Sequence, residues 1–279
     1  MKRLLVLICC LAGLSGHSQS LQENLGFYQY LINNKAYQEA RTLLDMLQDT
    51  DSASINFYKG KTHYYQQQLD SAIFYLDQVT PGHPQHTEAS FFGALGKGYN
   101  RHYTGAIKQV ASITPSDSLK MHLRNYELAG YHLLNRDFIQ FKTYSSYFRQ
   151  QHYQFSKQEL SFLAIADDLE NHRYRSPALA GLYSALIPGL GRVYGGKVGM
   201  GIGTFLTTAV FGLQAWEAYD KDGPRSARFA IFGSLFSIFY IGNIWGSVFT
   251  VKIANDEFDE AVNRQIMLDL HIPLRTIYN

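Results

Sequence analysis

The stretch that decides the fold is VGMGIGTFLTTAVFGLQAW at 198–216, followed by FAIFGSLFSIFYIGNIWGSVFTV at 229–251. Neither segment contains a formally charged residue, and a short polar turn, EAYDKDGPRSAR, connects them. A bilayer core is ~30 Å thick, and an α-helix needs about 20 apolar residues to cross it. The sequence therefore predicts a transmembrane helical hairpin over 199–251.

The first eighteen residues have the pattern of a secretory signal peptide. Two basic residues precede an apolar run from Leu4 to Leu14, and small residues follow it. The alternative is an uncleaved anchor, but eleven apolar residues are too few to span a bilayer. Both cysteines, Cys9 and Cys10, lie in this segment. The exported chain is therefore expected to have no disulfide and no thiolate metal site.

Charge and motif content argue against several function classes. Without Lys2 and Arg3 the chain has 23 basic and 23 acidic residues, so nucleic acid is not an expected partner. His83 and His86 lie in a Pro/Gly turn, which favours a solvated turn over a metal pair. The acidic cluster at 256–260 is typical of a solvated helix face. We therefore predict no catalytic residue, no bound metal and no cofactor.

Four segments between the signal and the hairpin align with one another at intervals of 32, 34 and 35 residues. Each has a polar turn, then an aromatic residue or leucine, then two residues, and then usually alanine. These last positions are Ala40, Ala72, Ala106 and Phe141. Twelve residues earlier stand Tyr28, Gly60, Ala94 and Ala129. Apolar residues follow at helical spacing, so each segment predicts one apolar stripe on a helix.

This pattern resembles tetratricopeptide repeats, whose unit of ~34 residues is a pair of antiparallel helices with small residues where they touch. The resemblance covers about 21–150, and one further helix is expected at 157–169. The predicted fold is all-α. A tetratricopeptide-like α-solenoid of antiparallel helix pairs in 19–170 precedes the transmembrane helical hairpin.

The resemblance also implies a candidate site. In that family the first helix of each pair lines a concave groove that binds peptides, so the array is expected to bind a protein or peptide partner. The implied groove residues are Phe57, Lys61, Tyr65, Tyr99 and Tyr126. The alternative is that these side chains pack between the repeats.

Residues 171–198 are predicted to form a linker and an interfacial or half-inserted helix. The segment 176–191 is uncharged but short, and Pro188-Gly189 breaks any helix that begins near Ala178. Its pattern resembles the start of the membrane region in TM2-type domains, for which no chemistry is established. This insertion motif comprises Pro188, Gly189, Gly191, Tyr194, Gly196 and Lys197, with Arg192 at a usually polar position.

Glycines recur at intervals of four in both predicted spans, at Gly199 and Gly203 and at Gly242 and Gly246. Small residues at this spacing let helix backbones approach closely in lipid. Two arrangements fit: the two faces pack within one hairpin, or they join two chains in a homo-oligomer. Beyond the hairpin, 252–279 is predicted to form a short acidic amphipathic helix at 254–264 and a tail.

These expectations combine into one hypothesis about function. The chain would be a membrane-anchored scaffold of the bacterial inner membrane, with its repeat domain in the periplasm and membrane lipid around the hairpin. The alternative is a subunit of an envelope transport or biogenesis complex, with the hairpin packed on other membrane helices. An enzyme acting on lipid or peptidoglycan is the third reading, and no catalytic constellation supports it.

Overall fold

The computed structural model of the chain describes residues 21–47, 52–115, 117–149 and 153–278. The signal peptide predicted at 1–18 lies outside the described residues. Within the described ranges all regular secondary structure is helical. The chain divides into two compact units, which are described separately below. The first extends to Ala166 and includes Ile266–Asn279, and the second is Asp167–Gln265.

Thirteen helices occur in the described ranges, in chain order. They are α1 Leu21–Asn33, α2 Tyr37–Met46, α3 Ser52–Tyr65, α4 Leu69–Leu76, α5 His86–Tyr99, α6 Tyr103–Ala111, α7 Ser118–Leu134, α8 Phe138–Ser145, α9 Ser156–Asn171, α10 Pro177–Leu186, α11 Leu190–Tyr194, α12 Val198–Asp222 and α13 Ala227–Tyr278. The helix expected at 157–169 is α9.

The first eight helices pack as successive neighbours. In each of the pairs α1–α2, α3–α4, α5–α6 and α7–α8 the second helix contacts the first, and each pair contacts the next one along the chain. All eight aligned positions of the sequence repeat are buried. At Gly60 the contact with α4 is so close that a Cβ would collide with the Leu76 side chain. The missing side chain at Gly60 therefore lets α3 and α4 approach closely.

The four pairs share one turn geometry. In the second pair the Gln68 amide donates to the His63 carbonyl at 2.9 Å, and the Gln67 amide donates to the Tyr64 carbonyl at 2.9 Å. This bond pattern closes a helix through one left-handed residue. The left-handed residues, with φ between 58° and 60°, are Lys35, Gln67, Arg101 and Arg136. Each stands five residues before the buried Ala or Phe of its pair, so the turn recurs with the sequence repeat.

The C-terminal part differs from the predicted short helix at 254–264 and tail. Helix α13 is continuous from Ala227 to Tyr278. The reason is local, because 252–272 contains neither glycine nor proline and nothing there ends a helix. Pro273 lies inside the helix and removes a single main-chain donor.

Two helices, α12 and α13, are long and apolar enough to cross a membrane by length and composition. They contain the two uncharged segments from which the hairpin was predicted. The preceding segment 176–191 contains the shorter apolar helix α10 and the first residues of the short helix α11, with a break at Ile187-Pro188-Gly189. The break falls where proline and glycine disfavour a continuous helix.

Candidate functional site

The surface of the helical array is partly covered by the end of α13. Residues from Ile266 onwards belong to the first unit, and Ile266, Leu270 and Leu274 are completely buried there. Residues four apart lie on one face of a helix, so this stripe faces the array. The chain's own C-terminal helix therefore occupies part of the surface on which the groove was predicted.

Two glycines allow this helix to approach the array closely. A Cβ at Gly98 on α5 would meet the Met267 side chain, and a Cβ at Gly130 on α7 would collide with Leu270. The Tyr126 ring lies in the same region, stacked on Phe162 with 4.8 Å between ring centroids. The packing is thus built from glycine and aromatic residues of the first helices of the pairs.

A hydrogen bond anchors α13 at its proline. Pro273 has no amide hydrogen, so it cannot donate to the carbonyl of Asp269 four residues earlier, as a regular helix requires. The Tyr126 hydroxyl donates to this carbonyl instead, at 2.9 Å. The Asp269 carboxylate accepts from the Ser161 hydroxyl at 2.7 Å. The main-chain carbonyl and the side-chain carboxylate of Asp269 therefore both accept hydrogen bonds from the array.

Three of the five predicted groove residues are buried. Tyr126 and Phe57 are enclosed. Lys61 is only 6% exposed. Its ammonium group lies 2.8 Å from the Glu88 carboxylate and 3.8 Å from the centroid of the Phe92 ring. Burial and these contacts hold the three side chains in the packing of the array, and Phe57 and Lys61 also line one of the cavities described next.

Tyr65 and Tyr99 remain accessible and line an open trough. Two cavities of about 620 Å³ and 520 Å³ share Tyr37, Tyr65 and Arg275 as lining residues. Tyr99, which is 43% exposed, lines the smaller cavity. We call this pair of cavities the aromatic trough. Its further aromatic lining comes from Tyr28, Phe57, Tyr58, Tyr64, Phe92 and Tyr278.

The charges around the aromatic trough are mainly positive. Lys35 and Arg275 line it, and the only carboxylate among its lining residues, Glu88, is already paired with Lys61. Burial, aided by the nearby Arg275 charge, lowers the pKa of His271. A carboxylate group would therefore be favoured in this trough.

A buried acid lies in α7 behind this surface. Neither carboxylate oxygen of Glu127 has a hydrogen-bond partner among the described residues. Burial raises the pKa of Glu127 to about 8, against a smaller opposing effect of the Tyr131 hydroxyl. The side chain is thus predominantly protonated at neutral pH. The sequence gives no signal for this residue, because α7 is buried on most of its faces and its pattern does not show which polar residue points inward.

In the second unit, two glycines of the insertion motif make contacts that require glycine. Gly189 has a φ of 86°, and a Cβ there would overlap the Gly201 carbonyl oxygen. A Cβ at Gly191 would overlap the carbonyl oxygen of Ala180. The break after α10 therefore lets α11 fold back against α10 and against the start of α12.

Polar side chains satisfy the main-chain groups that this break leaves free. Asn243 accepts from the Gly189 amide at 3.0 Å and donates to the Ser184 carbonyl at 3.3 Å. The Ser184 hydroxyl accepts from the Gly191 amide at 3.0 Å and lies 2.6 Å from the Ser247 hydroxyl. In the absence of water, each of these main-chain groups would destabilise the fold by several kcal/mol if it had no hydrogen-bond partner. The only sequence signal for this network is the presence of Asn243 and Ser247, four residues apart, in an apolar helix.

The other residues of the insertion motif lie in the break after α10, at the end of α11, and in the turn between α11 and α12. The Tyr194 hydroxyl accepts from the Ser176 amide at 3.1 Å. Gly196 has a φ of 85°, and Lys197 is the residue before the first turn of α12. Pro188 lies in the break itself. The motif thus shapes the backbone.

Three of the four predicted packing glycines are uncovered in this unit. A Cβ at Gly199, Gly203 or Gly242 would meet no atom within 4 Å. At Gly246 a Cβ would meet the guanidinium group of Arg192 from α11, and no atom of α12 is among the nearest three. The two glycine faces therefore do not pack tightly on each other here, and their role between chains stays a prediction.

The part of the chain that the structure describes contains no group of three or more His, Cys, Asp or Glu residues able to hold a metal. Within the turn at 80–86, His83 contacts the Ser54 hydroxyl at 3.0 Å and His86 contacts the Val79 carbonyl at 2.7 Å.

Comparison with family models, with curated proteins and with solved structures finds no match to this chain.

Proposed function

We propose that this chain is a membrane-anchored interaction scaffold, in which a tetratricopeptide-like helical array binds a protein or peptide partner. The apolar helices α12 and α13 would hold it in the bacterial inner membrane, with the array in the periplasm. The fourfold recurrence of one turn and one set of buried positions supports the solenoid part of this proposal.

The aromatic trough is the observation that carries the proposal. It combines accessible aromatic surface with two lining cations, Lys35 and Arg275, and its one lining carboxylate, Glu88, is already paired with Lys61. Aromatic side chains and arginine dominate the energetics of protein interfaces, because they bury large areas and still donate hydrogen bonds. Such a surface fits a peptide that offers apolar side chains and at least one carboxylate.

The C-terminal helix shows how the array accommodates a chain segment. The end of α13 lies against the first helices of the pairs, with apolar side chains at intervals of four residues and a tyrosine bond to its main chain. This is the way in which an amphipathic helix binds a groove. The aromatic trough continues this surface beside Tyr278 and Arg275 and offers similar chemistry to a second segment.

Site-specific photo-crosslinking tests this function. A photoreactive phenylalanine analogue at Tyr65, inside the trough, should give a discrete adduct in cells, whereas the same analogue at Ile139, 79% exposed on α8, should not. The captured segment, identified by mass spectrometry, would then be synthesised. Its binding to the purified full chain should weaken by about tenfold or more when Arg275→Glu reverses the charge.

Two outcomes would count against the proposal. One is an identical adduct pattern at Tyr65 and Ile139, which would indicate capture by exposure alone. The other is a synthetic segment that binds the Arg275→Glu variant as tightly as the unaltered chain.

A further inference from the structure

A cleft of about 500 Å³ separates α12 from α13 within the second unit. Its walls are largely apolar, with Met200, Ile238 and Phe239 all exposed. Gly203 and Gly242 also line it, and a Cβ at either would meet nothing within 4 Å. The cleft therefore exists because two side chains are missing from facing helices.

One of the nine lining residues is charged, and it is Arg192. The guanidinium group lies against Gly246, where a Cβ would collide with it. Its Nε atom is buried and has no hydrogen-bond partner among the described residues. The Thr204 and Thr207 hydroxyls donate to carbonyls of their own helix, and the Asn243 amide is used by the insertion motif. No group lining the cleft compensates the positive charge.

An uncompensated arginine beside apolar helices is energetically unfavourable. Arginine within a membrane span is costly because its charge loses hydration, and snorkelling to the interface reduces that cost. A bound anion removes the cost directly. Guanidinium groups bind phosphate through two parallel N–H···O bonds, which makes phosphate the best-matched anionic partner.

Two more cations stand near the same end of the hairpin. The Arg175 guanidinium lies over Gly196, where a Cβ would approach it within 2.8 Å, and Lys197 directly precedes α12. Basic residues near a membrane surface attract anionic lipid. Three basic residues therefore lie near this end of the hairpin, while the rest of the cleft is largely apolar.

We propose that the cleft between α12 and α13 binds an anionic phospholipid, with its phosphate group on Arg192 and an acyl chain along Ile238 and Phe239. The combination of one cation and apolar walls fits an amphiphile better than a free ion. The site requires membrane insertion and is independent of the peptide trough.

Native mass spectrometry of the full chain in a non-ionic detergent tests this site. The probes are phosphatidylglycerol, a diacylglycerol with the same acyl chains, and inorganic phosphate. One phosphatidylglycerol should bind each chain. Arg192→Gln should weaken this binding by about tenfold or more. Gly242→Leu, which fills the cleft and leaves the charge unchanged, should have the same effect, whereas Gly199→Leu, outside the cleft, should have none.

Circular dichroism and thermal melting would establish that each variant is folded. If Arg192→Gln fails to fold, the pair Gly242→Leu and Gly199→Leu decides the question. Diacylglycerol binding as tightly as phosphatidylglycerol would overturn the phosphate assignment, and displacement of the lipid by millimolar inorganic phosphate would identify a free-ion site instead. A lipid-free dimer that Gly242→Leu dissociates would show that a second copy covers the cleft, and would also overturn the proposal.

Discussion

The hydroxyl group of Tyr126 donates a hydrogen bond of 2.9 Å to the main-chain carbonyl oxygen of Asp269, a residue 143 positions further along the chain. Asp269 precedes Pro273 by four residues, so this carbonyl is the one that the proline leaves without its helical donor. The bond therefore repairs a defect in α13 with a side chain from α7.

This relationship predicts a specific coupling between two substitutions. Tyr126→Phe should lower the stability of the first unit by about 1 kcal/mol, because the Asp269 carbonyl would be buried without a donor. In a Pro273→Ala background the restored amide supplies that donor, and Tyr126→Phe should cost much less. Thermal melting of the four proteins as a double-mutant cycle measures the difference. Equal costs in both backgrounds would show that the tyrosine acts through its ring alone.

Glu127 predicts a fall in stability with rising pH. Its pKa rises from 4.5 to about 8 on folding, so between these values the folded state holds one proton more than the unfolded state. Stability from this group is therefore complete below about pH 4.5 and falls by up to ~1.4 kcal/mol per pH unit until about pH 8. Glu127→Gln, which cannot ionise, should remove this component.

The measurement is a set of thermal melts of both proteins at pH 5, 7 and 9. The Glu127→Gln variant should gain melting temperature relative to the unaltered chain as the pH rises. Parallel melting curves across the series would mean that the carboxyl group reaches solvent on ionisation.

The repeated left-handed turn predicts opposite effects of two substitutions at one position. Gln67 has a φ of 60°, a conformation that costs non-glycine residues roughly 1–2 kcal/mol. Gln67→Gly should relieve this strain and raise the melting temperature, although the extra freedom of the unfolded chain offsets part of the gain. Gln67→Val should lower it, because a β-branched residue tolerates this region poorly. Differential scanning calorimetry of the two variants tests the order.

The insertion motif predicts a contrast between two glycines. Gly191→Ala should destabilise the second unit by about 1–3 kcal/mol, because the new methyl group collides with the Ala180 carbonyl and the Ser184 hydroxyl. Gly199→Ala should be neutral or stabilising, since nothing lies within 4 Å of its Cβ position. Melting of both variants in the same detergent compares them directly. Similar losses at the two positions would mean that helix propensity, not packing, governs the motif.

The candidate site was predictable from the sequence only in part. Spacing placed Tyr65 and Tyr99 on the first helices of two pairs, and both line the aromatic trough. The same counting selected Tyr126, which the fold buries completely under α13. Spacing identifies a helix face, but it does not show that another segment of the chain covers that face.

Two other features of the structure could not be derived from the sequence pattern. Arg275 and Tyr278 lie in the stretch predicted to be a tail, and they border the trough because α13 continues to its end. Asn243 is hydrogen-bonded to Gly189 and Ser184, which precede it by 54 and 59 positions in the chain. No local pattern encodes a pairing over that distance.

The sequence by itself determined the features that arise from local chemistry. The absence of charged residues determined the two long apolar helices. The recurrence of small and apolar residues at intervals of 32 to 35 determined the repeated helix pairs, and Pro188-Gly189 determined the break after α10. Only the tertiary structure decided that the end of α13 lies in the array and that Asn243 completes the break. These outcomes depend on shape and hydrogen-bond complementarity between segments far apart in the chain, which hydrophobic periodicity does not record.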